Sequence, residues 1–153
     1  MLRAMDHRLA RVLAAPAGFL LAVLWMDLMF DAQYFTGEPA AAATSIAAYY
    51  RRVTLDAGWM TWLIAAVMFV TMVGTVLQLR RSSAPRWQRI ATALLAFGPI
   101  ALALAVVFPA ARELAVATSP ANQLDLVRLI AWSHVACFAA MGGFLAIQIR
   151  RAM

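Results

Sequence analysis

The sequence lacks lysine altogether and has only one cysteine and two histidines among its 153 residues. A single thiol, Cys137, excludes an intrachain disulfide and every zinc or iron–sulfur motif that needs two cysteines. We expect His7 to lie in a terminal tail, so a haem with two histidine ligands from this chain is not expected. No catalytic triad, phosphate-binding loop or zinc motif is present in the sequence.

Charge is also scarce, because charged residues make up 13% of the chain while hydrophobic residues make up 65%. The mean hydropathy is +0.79. Soluble domains have about 25% charged and about 45 to 50% apolar residues. This composition is typical of a membrane protein. The high pI is not taken as a sign of nucleic-acid binding, because the arginines are placed as in a membrane topology.

Four apolar windows are long enough to cross a bilayer, which needs roughly 20 helical residues. They cover about residues 12–30, 58–79, 90–108 and 126–149. The predicted fold is all-α, an integral membrane four-helix bundle in one domain of residues 1–153. Pro16 is expected in an opening helical turn, and Gly98-Pro99 is expected to kink the third span.

Arginine placement predicts the orientation of the bundle, because cytoplasmic flanks carry an excess of positive charge. Nine of the thirteen arginines flank the same side: Arg3, Arg8, Arg11, Arg80, Arg81, Arg86, Arg89, Arg150 and Arg151. Asp6 is the only acid on that side. We therefore expect a multi-pass protein of the bacterial inner (plasma) membrane with both termini in the cytoplasm, and a first span that is retained instead of cleaved as a signal peptide.

The first outer connection, residues 31–57, is too long for a simple turn. Its segment "EPAAAATSIAAYYRRV" begins with a proline, is rich in alanine and ends with two tyrosines and two arginines. This pattern predicts a short helix that lies at the membrane interface. A lid over an outward-facing cavity is the alternative interpretation.

Two aspartates lie in "WMDLMFD" near the outer end of the first span, and Asp31 follows Asp27 by one helical turn. One interpretation is a helix that is leaving the membrane there, which requires no function. The other interpretation is that Asp27 faces the bundle interior, where it either pairs with an arginine or gains and loses a proton. The reason is that an ionised carboxylate without a partner has a high free energy inside a membrane.

His134 lies at a similar depth in the fourth span, so it could meet Asp27 from the antiparallel helix. A carboxylate beside an imidazole fixes its tautomer and provides a proton acceptor or donor. A histidine that only hydrogen-bonds a neighbouring helix is the structural alternative. Cys137 and Met141 continue the same face, where they are soft metal ligands or, as we prefer, apolar filling.

Three short segments carry a resemblance to the anthrone oxygenase-like family of small four-span membrane proteins. "AWSHV", residues 131–135, resembles a segment of that family's last helix in Trp132 and His134, with Ser133 where asparagine is usual and Ala136 where arginine is usual. "VVFPAARELA", residues 106–115, is similar to the end of its third helix, with Val107 and Ala111 in place of asparagines. "SIAAYYRRV", residues 45–53, stands where the family has an amphipathic segment.

The resemblance implies oxidation of a hydrophobic aromatic molecule by oxygen without a bound metal, with His134 as the base and Asp27 as its orienting partner. We therefore predict an outward-facing polar cavity for an aromatic or quinone-like small molecule, with Asp31, Arg112 and Trp132 as ligand contacts. No cofactor can be named.

The competing hypothesis is a non-catalytic subunit or assembly partner of a larger membrane complex, or a homo-oligomer. A small proton-coupled transporter that uses Asp27 is less favoured, because Asp27 is shallow in the membrane.

Overall fold

A computed structural model describes residues 2–153, and the side chains of all of these except residues 2–6 and 39. Arg3 and Asp6, which contribute to the predicted charge asymmetry, therefore have side chains outside the described set. The described residues form five helices and no strand: α1 (Leu2–Thr36), α2 (Pro39–Arg51), α3 (Gly58–Arg81), α4 (Arg86–Val116) and α5 (Pro120–Ala152). The predicted all-α bundle is confirmed.

Four of these helices are long and apolar enough to cross a membrane: His7–Thr36 within α1, and the whole of α3, α4 and α5. The chain is thus a multi-pass membrane protein whose helices contact lipid. All four helices extend beyond the predicted windows, because polar flanks can stay helical outside the bilayer core although they lower the hydropathy. Pro16 lies inside α1 and not in its opening turn, so that expectation was wrong.

The third helix is irregular in the region where a kink was expected. Pro99 lies inside α4, and a π-helical turn follows at Ala103–Val107. Proline cannot donate the usual helical hydrogen bond, and π-helical segments occur mostly as single turns inside α-helices. This turn brings Val107 and Phe108 to the wall of a cavity.

α2 packs against the bundle through a face of small residues. Its buried residues are Ala42, Ala43, Ile46, Ala47 and Tyr50, and they belong to a hydrophobic cluster with the end of α4 and the start of α5. Small side chains allow close helix contact, which explains why an alanine-rich helix can lie across two others. The predicted short helix exists, and its inner face covers one end of the bundle.

A second hydrophobic cluster holds the other half of the bundle, with Leu13, Leu20, Met141 and Phe144 among its members. α1 and α3 approach closely there, since a methyl group added at Gly74 would lie 2.6 Å from Leu13 Cδ2. Three polar residues lie between the two clusters: Asp27 and Asp31 on α1, and His134 on α5.

Candidate functional site

Both aspartates of α1 face the interior of the bundle. The side chain of Asp31 is fully buried, and that of Asp27 is 18% exposed. α1 continues without a break to Thr36. The interpretation that the helix leaves the membrane at these residues therefore does not account for their burial, and the inward-facing alternative does.

His134 of α5 contacts the two aspartates through opposite sides of its ring. Its Nδ1 lies 2.7 Å from Asp31 Oδ2, whereas its Nε2 lies 4.0 Å from Asp27 Oδ2. Because a carboxylate accepts hydrogen bonds, the short contact assigns a proton to Nδ1. The carboxylate within hydrogen-bond distance of the histidine is therefore Asp31. The role of Asp27 as orienting partner, which the resemblance implies, stays a prediction.

Two tyrosines of α2 complete the polar cluster. Tyr49 Oη donates to Asp27 Oδ1 over 2.7 Å. Tyr50 Oη donates to Asp31 Oδ1 over 3.2 Å and lies 3.3 Å from His134 Nδ1. The partners of Asp27 and Asp31 are thus tyrosines and a histidine. An arginine, which was one of the two alternatives for Asp27, is not among the contacts that the described residues make with it.

The tyrosines are held in their neutral, donating form. Burial raises the pKa of Tyr49 well above its ordinary value, and the nearby carboxylate of Asp27 raises it further. Burial likewise raises the pKa of Tyr50, with Asp31 and then Asp27 as additional causes. Both phenols therefore remain hydrogen-bond donors at any physiological pH.

Sequence reasoning missed the role of these tyrosines. It assigned "YY" to the membrane interface, where amphipathic rings are common. The available signal was their position at the end of an alanine-rich helix. If that helix is a lid, one of its faces points into the bundle, and tyrosines at its end can point inward with it.

A cavity of ≈160 Å³ lies between α1, α3, α4 and the end of α2. Its polar lining includes Asp27, Tyr49, Tyr50, Arg112 and His134, and most of the remaining wall is apolar. A second cavity of ≈60 Å³ adjoins it, lined mainly by apolar residues. Asp27 and His134 line both cavities, so these two side chains stand where the polar and apolar spaces meet.

The five residues predicted for the site are not all together. Arg112 lines the larger cavity and is exposed to the surroundings. Asp31 lies behind His134 and lines neither of the two cavities. Trp132 is 57% exposed, packs edge-on against Phe35 and also lines neither cavity. Its proposed ligand contact stays a prediction without support from this geometry.

Cys137 and Met141 line the smaller cavity next to His134. Cys137 Sγ donates to the carbonyl oxygen of Pro99 over 3.5 Å, and both side chains are buried. Within the part of the chain whose side chains are described, no three His, Cys, Asp or Glu residues are grouped so as to hold a metal ion.

No protein-family model, curated protein or solved structure matches the chain. The resemblance to the anthrone oxygenase-like family thus rests on the three short segments alone. Val107 and Ala111, where that resemblance expects asparagines, both line the larger cavity. The cavity wall is therefore apolar at two positions where amide groups were expected.

Proposed function

We propose that the protein binds the ring end of a small hydrophobic aromatic or quinone-like molecule and exchanges a proton with it at His134. The observation that carries this proposal is the contrast between the two ring nitrogens. Nδ1 is held by Asp31 at 2.7 Å, while Nε2 is 4.0 Å from Asp27, beyond hydrogen-bond distance, in a residue that lines both cavities.

The cavity dimensions define the size of the ligand. An apolar cavity of about 150 Å³ holds one benzene molecule, so the ≈160 Å³ cavity accommodates one ring. The adjoining ≈60 Å³ space suits a small alkyl substituent. A molecule of three fused rings would leave part of itself outside. We therefore favour a single-ring phenol or quinone, or the terminal ring of a larger molecule.

Proton transfer follows from the tautomer. With the proton on Nδ1, the neutral imidazole offers the Nε2 lone pair to an acidic O–H or C–H group of the ligand. The imidazolium that forms is stabilised by the carboxylate of Asp31, and Tyr50 holds that carboxylate in place. Tyr49 fixes Asp27 beside the second nitrogen.

An oxygenase reaction is the extension that the resemblance suggests. Removal of the O–H proton of a phenol by His134 leaves a phenolate, which reacts with dioxygen at a ring carbon. In the overall reaction, one phenol and one O₂ give one quinone and one water molecule. This chain's residues supply the base and the apolar binding space.

The same proposal includes an orientation in a bacterial inner membrane, with both termini in the cytoplasm. The first part of α1 and the end of α5 are adjacent, since His7 contacts the carbonyl oxygen of Arg151 and Arg11 donates to that of Ala152 over 3.3 Å. Most of the arginines flank this end of the bundle. A reporter that is active only outside the cytoplasm should be inactive when fused after Met153.

Calorimetric titration of the detergent-solubilised protein with a methylphenol and with benzoquinone tests the proposal. Ile64 lines both cavities, so Ile64→Trp should abolish binding by filling them. Leu63→Trp is the matched control, because Leu63 is 41% exposed beside it. Ultraviolet difference spectra of the bound methylphenol should show phenolate absorbance when its proton moves to His134, and His134→Gln should remove that absorbance. Binding that survives Ile64→Trp would contradict the proposed site.

A further inference from the structure

Two grooves flank the end of α5, far along the helix from the aromatic site. One has a volume of ≈240 Å³ and lies beside the connection between α3 and α4. The other has a volume of ≈280 Å³ and lies between the start of α4 and the end of α5. Gln88 and Arg151 line both grooves. A polar edge is therefore shared by two neighbouring depressions.

The groove between α4 and α5 is polar at one end and mostly apolar along its length. Arg150, Arg151 and Gln88 provide charged and amide groups, and Ala91, Thr92 and Ile147 continue the lining roughly one helical turn deeper. Arg151 also donates to Thr92 Oγ1 over 3.4 Å. Trp87 lines the same groove and is 68% exposed. Tryptophan is typical of the membrane–water interface. The groove thus has the polarity of a phospholipid, with a headgroup end and a chain end.

The charge around this groove favours an anion. Exposed arginines lie at the same end of the bundle, at the end of α3, the start of α4 and the end of α5: Arg80, Arg81, Arg86, Arg89 and Arg150. The carboxylate side chains that the structure describes belong to the other half of the bundle: Asp27, Asp31, Glu38, Asp56, Glu113 and Asp125. α4 also begins at Arg86, so the positive end of its helix dipole points to this side.

We infer that this groove binds one anionic phospholipid. Its phosphodiester contacts Arg150, Arg151 and the amide of Gln88, and one acyl chain lies along Ala91 and Ile147. Arginine suits this ligand because its planar guanidinium can donate two parallel hydrogen bonds to phosphate oxygens. Basic pockets between membrane helices bind such headgroups. The inference is independent of the aromatic ligand, since the two sites share no lining residue.

Native mass spectrometry of the full chain in detergent, titrated with dioleoyl phosphatidylglycerol or dioleoyl phosphatidylethanolamine, tests the inference. The parent protein should retain the anionic lipid at lower concentration than the zwitterionic one. Arg150→Gln should weaken its binding about fivefold, the effect of one arginine at an anionic lipid. Arg80→Gln removes the same charge at the same end, outside the groove, and should have a much smaller effect. Ala91→Phe should weaken binding by filling the groove without a change in charge.

Three outcomes would overturn the inference. Equal binding of the two lipids would show that the headgroup charge is not recognised. Equal losses in Arg150→Gln and Arg80→Gln would show diffuse attraction by the arginine-rich end instead of a groove. Displacement of the lipid by glycerol phosphate at the lipid's own concentration would show that the acyl chain contributes nothing.

Discussion

Removal of the Asp31 carboxylate should destabilise the protein much more than removal of the Asp27 carboxylate. The Asp31 side chain is fully buried and accepts hydrogen bonds from His134 and Tyr50. The Asp27 side chain is 18% exposed and accepts one from Tyr49. The two residues are one helical turn apart, so each variant is a control for the other in helix propensity and in membrane depth.

The magnitudes follow from the groups left without a partner. Asp31→Ala leaves two buried donors unsatisfied at about 1–3 kcal/mol each, so we expect a loss of about 2–6 kcal/mol. Asp27→Ala leaves only the half-buried Tyr49 phenol, at about 1–2 kcal/mol. Asp31→Asn keeps a neutral acceptor of the same shape, so we expect an intermediate loss.

Reversible unfolding in mixed micelles, followed by tryptophan fluorescence and by far-ultraviolet circular dichroism, measures these free energies. The expected order of stability is parent, then Asp27→Ala, then Asp31→Ala. If Asp31→Ala were as stable as Asp27→Ala, the buried cluster of carboxylate, imidazole and phenol would not contribute as its distances require.

Three further results are expected. Gln78 and Gln148 exchange buried hydrogen bonds of 2.9 and 3.1 Å. Gln78→Leu should therefore lower the free energy of unfolding by about 1–3 kcal/mol, because the Gln148 amide is left without a partner. The double variant with leucine at both positions should recover most of this loss in the same unfolding assay. Gly74→Ala should be less stable than Gly18→Ala, because only the former meets a side chain of the neighbouring helix; equal stability would refute that close approach. Since the pKa of Tyr49 is raised, its phenol stays protonated as the pH rises past 10, and Tyr49→Phe should leave the tyrosinate absorbance at pH 11 unchanged. A smaller absorbance in this variant would show that Tyr49 ionises normally.

The helices could be predicted from the sequence because length and hydropathy are local properties. Twenty apolar residues must be helical in a bilayer, where unpaired backbone groups are too costly. The ends of the helices could not be predicted in this way. α1 continues to Thr36, and Tyr34 in its last turns packs against the cluster that includes α2. A hydropathy window contains no information on that contact.

The site was predictable in its depth but not in its pairing. Counting residues put an aspartate of α1 level with His134, and the structure brings α1 and α5 together there. Asp27 and Asp31 differ by only about 40° around the helix, so counting could not decide which of them contacts the imidazole. The tyrosines reach the site only because α2 folds back over the bundle, which is a consequence of tertiary packing.

Native mass spectrometry of the protein extracted gently from its own membrane tests the central claim most directly. We predict a retained small molecule with one aromatic or quinone ring that is lost from the Ile64→Trp and His134→Ala variants and kept by Leu63→Trp. A protein without such a molecule that is held in a fixed ratio by a second protein chain would contradict the claim. That result would favour the assembly-partner hypothesis and leave His134 and its two aspartates with a structural role.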